Sequence, residues 1–330
     1  MANWLSYKTF ILLLFPLIFA FETNTIANKW GFYGHQQINR IAVFTLPSEM
    51  IGFYKEHIEF ITDHSVDPDK RRYTIKEEAA RHYIDLDHYG LFPFDSIPKS
   101  WSKAVEKYSA DTLNAYGIVP WHIQLMKSKL QKAFEEKNVD LILKYSSEIG
   151  HYIADAHVPL HTTQNYNGQL TNQRGIHGLW ESRLVELNAS NYDFFVGRSQ
   201  YIERPLDFIW NRVKESHFAL DSVFRFEKEV SSIFTTDQKY SFETKGNQTV
   251  QVYSIPFSQA YHVKLNGMIE RRMRTAILSI GSIWYTAWVD AGQPDLSSIL
   301  HTPPSDALKA EIKNLNESVK KHIHSERICD

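Results

Sequence analysis

The chain has 330 residues, of which 43% are hydrophobic and 14% aromatic, so it can bury the core of a large globular protein. Its formal net charge is −2 at pH 7, which argues against a protein that binds nucleic acid through a strongly basic surface. Any phosphate chemistry would therefore draw its positive charge from bound metal ions.

Residues 1–29 are interpreted as a signal peptide with a short extension. Lys8 precedes an apolar run at 10–21, which is too short for a stable membrane span and typical of an export signal, with an uncleaved anchor as the alternative. The protein is therefore expected to be exported, either to a periplasm or out of the cell. Exported proteins often contain disulfides, but Cys329 is the only cysteine, so bound metals would have to replace an intramolecular cross-link.

Helical periodicity dominates the rest of the chain and predicts an all-α fold. Amphipathic segments start near residues 38 and 47, longer ones cover 121–134, 139–156 and 258–291, and 249–255 is the best strand candidate. No internal repeat or linker divides the chain, which predicts a single mostly helical domain over 30–302. The charged, lysine-rich end, 303–330, is interpreted as a surface helix or a loose tail.

Two histidine–acid pairs in the middle of the chain carry the clearest chemical signal. His151 and Asp155 are four residues apart, as are His177 and Glu181, so each pair would lie on one face of a helix. His161 lies between the pairs, and a proline two residues before it disfavours a continuous helix, which would let the chain turn back across a shared cavity. Histidine and carboxylate side chains are typical zinc ligands. The pattern predicts a multinuclear zinc hydrolase.

Weaker candidates lie upstream. His82 stands in the aromatic-flanked segment Arg-His-Tyr-Ile-Asp, and Asp67 in Val-Asp-Pro-Asp-Lys, where an ordinary Asp-Pro turn is the alternative. The segment Trp30-Gly-Phe-Tyr-Gly-His35 opens a predicted helix, and by itself such an aromatic run is usually part of a core.

Together these motifs resemble the superfamily that contains zinc-dependent phospholipase C and the single-strand-specific zinc nucleases typified by nuclease P-one. The resemblance runs from Trp30 to the segment 284–296, and its most specific part is 151–161, His-Tyr-Ile-Ala-Asp-Ala-His-Val-Pro-Leu-His. It implies a single all-helical domain in which three zinc ions share one cleft.

The resemblance also implies which residues hold each ion. The ligands would be Asp67, His82, His151 and Asp155 for the first zinc; His161, His177 and Glu181 for the second; and His35, Asp155 and the amino and carbonyl groups of Trp30 for the third. Lys29 is an unusual signal-peptidase site, and cleavage near Ala20 or Ala27 is more ordinary. Three zinc ions are therefore expected, or two if the amine of Trp30 is not free.

Catalytic roles follow from the same resemblance. Asp155 would bridge the zinc pair that holds the attacking hydroxide, and Asp67 would complete that site. Lys70 would assist catalysis, since the nucleases carry an arginine shortly after the aspartate; Arg71 is the alternative, and a solvated Lys-Arg-Arg run is the simpler interpretation. The zinc of the second set would bind phosphate oxygens and stabilise the leaving alkoxide.

The motifs conflict about the substrate. Tyr83 and Asp85 stand where the nucleases contact a base, with an aromatic ring for stacking and a carboxylate to accept from amino groups. Phe32 and Tyr33 stand where the phospholipases carry an acid that helps to bind choline, whereas Glu181 resembles the phospholipases.

We therefore expect a monomeric nuclease or nucleotidase that cleaves phosphodiesters of single-stranded nucleic acid or nucleotides with a zinc-bound hydroxide, without an obligate protein partner. Phospholipase C activity on phospholipid head groups is the alternative. A non-catalytic, metal-stabilised helical binding protein is the second alternative, although its closed sites would favour cysteine ligands.

Overall fold

The computed structural model describes residues 31–245 and 248–322, and within these ranges the predicted mostly helical fold is confirmed. The interpreted signal peptide at 1–29 and the candidate ligand Trp30 lie outside the described residues. None of the described helices is both long and apolar enough to cross a membrane.

The helices are joined by short turns in some places and by longer segments in others. The α-helices are α1 (Phe32–Ala42), α2 (Ser48–Glu56), α3 (Ile58–Asp63), α4 (Asp67–Arg71), α5 (Pro93–Ser96), α6 (Trp101–Tyr108), α7 (Ala110–Tyr116), α8 (Val119–Glu135), α9 (Val139–Ala156), α10 (Ile176–Gly178), α11 (Leu184–Asn188), α12 (Pro205–Ser231), α13 (Thr236–Lys239), α14 (Ile255–Lys264), α15 (Met268–Asp290) and α16 (Asp306–His322). Short 3-10 turns cover Val43–Thr45, His64–Val66, Lys76–Arg81, Leu86–Tyr89, Pro159–Thr162, Ala189–Asn191 and Ser297–Ile299, and a π-helical turn covers Leu179–Arg183.

One antiparallel hairpin forms the sheet of the described residues. β1 (Tyr240–Lys245) pairs with β2 (Gln248–Tyr253), with Tyr240 opposite Tyr253. β2 covers most of the strand predicted at 249–255 and ends earlier because Ser254 caps α14, accepting a hydrogen bond from the Phe257 amide.

The core forms where α8, α9 and α15 pack together, with α1 against both α9 and α15. Trp284 of α15 is fully buried, stacks on Tyr54 with ring centroids 4.9 Å apart, and donates from Nε1 to the Ser146 carbonyl. The predicted helix at 258–291 is wrong as one element. It breaks at Asn266 and Gly267, whose positive φ angles of 49° and 70° are left-handed, a conformation that these two residue types tolerate best.

Close packing of α1 on α9 positions the candidate site. A Cβ placed on Gly150 would lie 2.0 Å from Asn39 Oδ1, so only glycine fits there, and Asn39 Nδ2 donates to the Ser147 carbonyl at 2.9 Å. Next to this contact the rings of His35 and His151 stack with centroids 3.9 Å apart. The sequence of α9 therefore brings two distant histidines together.

The charged end of the chain, interpreted as a surface helix or a loose tail, forms a helix within the described residues. α16 packs against α4 and buries Leu308 and Val319, and the Ser305 amide donates to Asp140 at 2.9 Å.

Candidate metal centre

Among the residues that the structure describes, four groups of histidine and carboxylate side chains lie close enough together to hold metal ions. Within each group, one ligand atom per residue lies within 4.8 Å of the others. The groups are His35, Asp69 and His151; His82, His151 and Asp155; His161, His177 and Glu181; and His35, Asp155 and Glu181. Because the groups share members, their eight residues form one continuous site, which we call the metal cluster.

Asp155 occupies the centre of the metal cluster. Its Oδ2 lies 2.9 Å from His82 Nδ1 and 3.3 Å from His151 Nε2, and its Oδ1 lies 3.5 Å from His35 Nε2 and 3.6 Å from His161 Nδ1. Burial alone would raise the pKa of this carboxyl, but His151 and His161 hold the pKa well below its usual range. The two oxygens face different histidines, which is the arrangement a bridging ligand requires.

The chain reverses after α9, as the proline in the motif predicts. Val158 is extended, and the 3-10 turn Pro159–Thr162 brings His161 back over the cluster. His161 Nδ1 donates to the His82 carbonyl at 2.7 Å, which leaves Nε2 3.0 Å from His177 Nε2. The backbone contact thus fixes which nitrogen of His161 faces the cluster.

His177 and Glu181 meet as their spacing predicts, although the helix between them is irregular. His177 lies in α10 and Glu181 in the π-helical turn, with Nε2 2.7 Å from Oε2. Glu181 also lies 3.3 Å from both His161 Nε2 and His35 Nε2. It therefore joins two groups, where the resemblance places it in one.

The carboxylate that α4 places in the cluster is Asp69, which differs from the Asp67 that the resemblance implies. Asp69 Oδ1 lies 3.6 Å from His151 Nε2 and 3.8 Å from His82 Nδ1. Asp67 belongs to none of the four groups; its oxygens lie 2.7 Å from His64 Nδ1 and 2.6 Å from Lys70 Nζ. Residues two apart on a helix point to nearly opposite sides, so only one of the two aspartates can face the cluster.

The basic residues after Asp69 are likewise placed differently from the expectation. Lys70 is directed to Asp67, and Arg71 donates to Glu148 at 2.6 Å and to Glu78 at 3.2 Å in a buried network. Arg72 is the cation beside the cluster, with Nη1 3.7 Å from Asp69 Oδ1. The interval from Asp69 to Arg72 is the sequence signal that would have indicated this placement. Here an arginine follows an aspartate within one helical turn, as in the nucleases that the chain resembles.

The metal cluster is buried around Asp155 and partly exposed at His177 and Asp69. The side chains of His151, Asp155 and His82 are at most 2% exposed, whereas those of His177 and Asp69 are 26% and 22% exposed. Solvent therefore reaches the cluster at His177 and at Asp69.

Tyr83 and Asp85, the candidate base-binding residues, follow His82 near the open side. Burial raises the pKa of the Tyr83 hydroxyl. The nearby Asp85 and Tyr166 raise it further, whereas the nearby Arg72 lowers it. Burial and the neighbouring Asp87 raise the pKa of the Asp85 carboxyl to about 7. Tyr166, whose ring centroid is 5.8 Å from that of His177, is a further residue at this opening that the sequence did not indicate.

The donor set fits divalent metal ions. Three carboxylates and five histidines converge, and pairs of ring nitrogens approach each other, with His151 Nε2 3.1 Å from His82 Nδ1. Burial lowers the pKa of His161, but Asp155 and Glu181 outweigh this effect and raise it to about 9. The site is therefore strongly electronegative and favours cations, and nitrogen and oxygen ligands without sulfur suit zinc and similar hydrolytic ions.

A network behind the cluster supports His82. Glu78 is fully buried, and its Oε1 lies 3.7 Å from His82 Nε2. It accepts hydrogen bonds from Tyr152 and from Arg81 Nη1, the latter at 2.6 Å, and contacts with His82 and Arg71 lower its pKa although burial raises it. These contacts hold the Glu78 carboxylate in place beside the His82 ring.

Comparison of the sequence with models of known protein families gave no match, and a search of curated proteins gave no significant match.

Proposed function

We propose that this protein is a zinc-dependent phosphodiesterase of the type shared by zinc-dependent phospholipase C and nuclease P-one, and that it acts on single-stranded nucleic acid or nucleotides. The observation that supports this proposal best is the single cluster around Asp155, in which ligands from α1, α4, α9 and 177–181 converge. Structural zinc sites are closed and favour thiolates, whereas this cluster contains only nitrogen and oxygen ligands and opens at His177.

The described residues can be divided among the expected ions. The first ion would be held by Asp69, His82, His151 and Asp155, the second by His161, His177 and Glu181, and the third by His35, Asp155 and Glu181. Trp30, whose amino and carbonyl groups would complete the third set, lies outside the described residues. Bound zinc would lower the pKa of water towards neutrality and stabilise negative charge on phosphate oxygens.

The residues around the opening would bind and orient the substrate. The Arg72 guanidinium beside Asp69 can donate two parallel hydrogen bonds to a phosphate. Tyr83, half-buried next to His82, offers a ring on which one base can stack. Asp85 can accept a hydrogen bond from a base amino group when ionised and donate one when protonated, because its pKa is about 7.

Metal analysis together with a substrate panel tests this proposal. The full chain is purified with zinc, its metal content is measured, and turnover is followed on single-stranded DNA, RNA, 3′-nucleotides and phosphatidylcholine. We expect two or three zinc ions per chain, hydrolysis of the nucleic-acid substrates, and loss of both after chelation with recovery on adding zinc.

Two results would contradict the proposal. Turnover of phosphatidylcholine with nucleic acid untouched would indicate a phospholipase C. Bound zinc without hydrolysis of any substrate in the panel would indicate a metal-stabilised binding protein.

A further inference from the structure

Exposed hydrophobic side chains are concentrated where the segment 90–94 meets α12. Leu91 is 92% exposed, Phe92 70% and Phe218 67%. Phe94 links the two segments, since its ring centroid lies 6.0 Å from that of Phe218. Single exposed hydrophobic residues are ordinary, but a contiguous group commonly marks an interaction site. We call Leu91, Phe92, Phe94, Phe218 and the adjoining Lys214 the aromatic patch.

Lys214 gives the aromatic patch a positive charge among its rings. Its Nζ lies 5.7 Å from the ring centroid of Phe94 and 5.5 Å from that of Phe218. Among the described residues no carboxylate lies within salt-bridge distance of Lys214, and the side chain is exposed. Aromatic faces alternating with a cation are the combination by which proteins bind single-stranded nucleic acid, because rings stack on bases and the cation contacts phosphate.

The aromatic patch is connected to the metal cluster by two side-chain contacts. The ring centroids of Phe94 and His217 are 5.8 Å apart, and His217 Nδ1 lies 3.2 Å from Thr162 Oγ1. Thr162 directly follows His161, a member of the cluster. The patch therefore adjoins the segment that carries His161.

We propose that the aromatic patch is a subsite for the unpaired bases of a single-stranded nucleic acid, next to the nucleotide whose phosphate lies at the metal cluster. This inference rests on the proposed function. The patch would favour long single strands over short substrates, because only a strand of several nucleotides reaches both the cluster and α12.

The composition of the aromatic patch, several rings with a single lysine, favours nucleic acid over a membrane surface. Anionic membranes are recognised by clusters of about 4–8 lysines or arginines. The patch has one lysine, and its neighbours in sequence, Asp95 and Glu215, are exposed acids that repel any anionic partner, so stacking on the rings would supply most of the affinity. Its contact through His217 and Thr162 with the segment that carries His161 also points to the substrate of the same site.

Substitutions on the patch provide the test. Phe92→Ser, Phe218→Ser and Lys214→Ala change exposed side chains, so the variants should fold, and Phe195→Ser is the matched control, because Phe195 is an 85% exposed phenylalanine beside Arg274 of α15. Affinity for a fluorescent oligothymidylate is measured on the full zinc-loaded chain at fixed salt, together with kcat/KM for the oligonucleotide and for a thymidine dinucleotide.

We expect each phenylalanine variant to lose at least about fivefold in affinity for the oligonucleotide, the lower limit for stacking on one base. The ratio of kcat/KM for the oligonucleotide to that for the dinucleotide should fall in the same variants. Lys214→Ala should weaken binding and reduce its salt dependence, while Phe195→Ser should behave as the unmodified protein.

Three outcomes would overturn the inference, and they are distinguishable. If the unmodified protein cleaves nucleic acid and the patch variants bind the oligonucleotide as tightly as the control does, the patch is not a strand subsite. If vesicles of phosphatidylcholine and phosphatidylserine bind the unmodified protein but not Phe92→Ser, with oligonucleotide affinity unchanged, the patch is a membrane surface. If the unmodified protein neither binds nor cleaves nucleic acid, the proposed function fails as well.

Discussion

Replacement of Asp69 by asparagine tests the metal cluster where sequence and structure disagree. Asp69 and Asp67 are two residues apart on α4, but only Asp69 faces the histidines of the cluster. Asp67→Asn is therefore a matched control: it removes the same charge from the same helix on the other side. We expect Asp69→Asn to weaken zinc binding and Asp67→Asn to lower the free energy of unfolding.

The structure sets the expected magnitudes. Asp69 supplies one of the three carboxylates of the cluster. Removing residues that only support a metal ligand costs about 10–100-fold in affinity, so loss of the ligand itself should cost about 100-fold or more, which is about 2.7 kcal/mol. Asp67→Asn instead weakens contacts with Lys70 and His64 at 2.6 and 2.7 Å, and should lower the free energy of unfolding by about 1–3 kcal/mol.

The assay combines zinc binding with unfolding. Each metal-free variant is titrated with zinc against a chromophoric chelator, and its free energy of unfolding is taken from urea denaturation. We expect weaker zinc binding only for Asp69→Asn and lower metal-free stability for Asp67→Asn. The reverse result, with zinc lost from Asp67→Asn and retained by Asp69→Asn, would refute the assignment of the ligand.

Three further predictions concern the surroundings of the cluster. Glu78→Gln removes a buried charge partner of an arginine and should lower the free energy of unfolding in urea by about 3 kcal/mol, whereas the exposed control Glu77→Gln should change it by less than about 0.5 kcal/mol; equal effects would contradict the network. Gly150→Ala places a Cβ 2.0 Å from an oxygen of the buried asparagine of α1 and should destabilise by about 1–3 kcal/mol in thermal unfolding, while Gly52→Ala, with its nearest contact at 3.8 Å, should be neutral or stabilising. Deletion of 303–330 removes α16 and should lower Tm while zinc content and turnover stay unchanged; loss of zinc would place α16 among the elements that support the cluster.

The sequence predicted best those features that depend on neighbouring residues. α9 has the predicted bounds because Asn138 caps its first turn, accepting a hydrogen bond from the Leu141 amide at 3.1 Å, and a proline follows its end. The pairing of His151 with Asp155 then follows from helical spacing. By contrast, the predicted helix at 258–291 is two helices, since its apolar period continues across a left-handed Asn-Gly break.

Features that depend on tertiary packing could not be read from spacing. His35 reaches the cluster only because α1 packs closely on Gly150, 115 residues further along the chain. The choice between Asp67 and Asp69 depends on which side of the short α4 faces α9. The aromatic patch likewise joins α12 to a segment more than a hundred residues away, which no local pattern predicts.

The electrostatics of the cluster connect metal binding to folding. Asp69, Asp155 and Glu181 lie close together, and their mutual repulsion requires positive charge nearby. Although burial lowers the pKa of His161, the carboxylates of Asp155 and Glu181 raise it to about 9, so a proton on this histidine can supply part of that charge near neutral pH. A divalent ion would supply the same charge, but it needs the imidazole nitrogen deprotonated and therefore competes with the proton. Because the candidate ligands come from α1, α4, α9 and 177–181, an ion bound here would hold together elements that lie far apart in the chain, and its binding free energy would add to the stability of the fold.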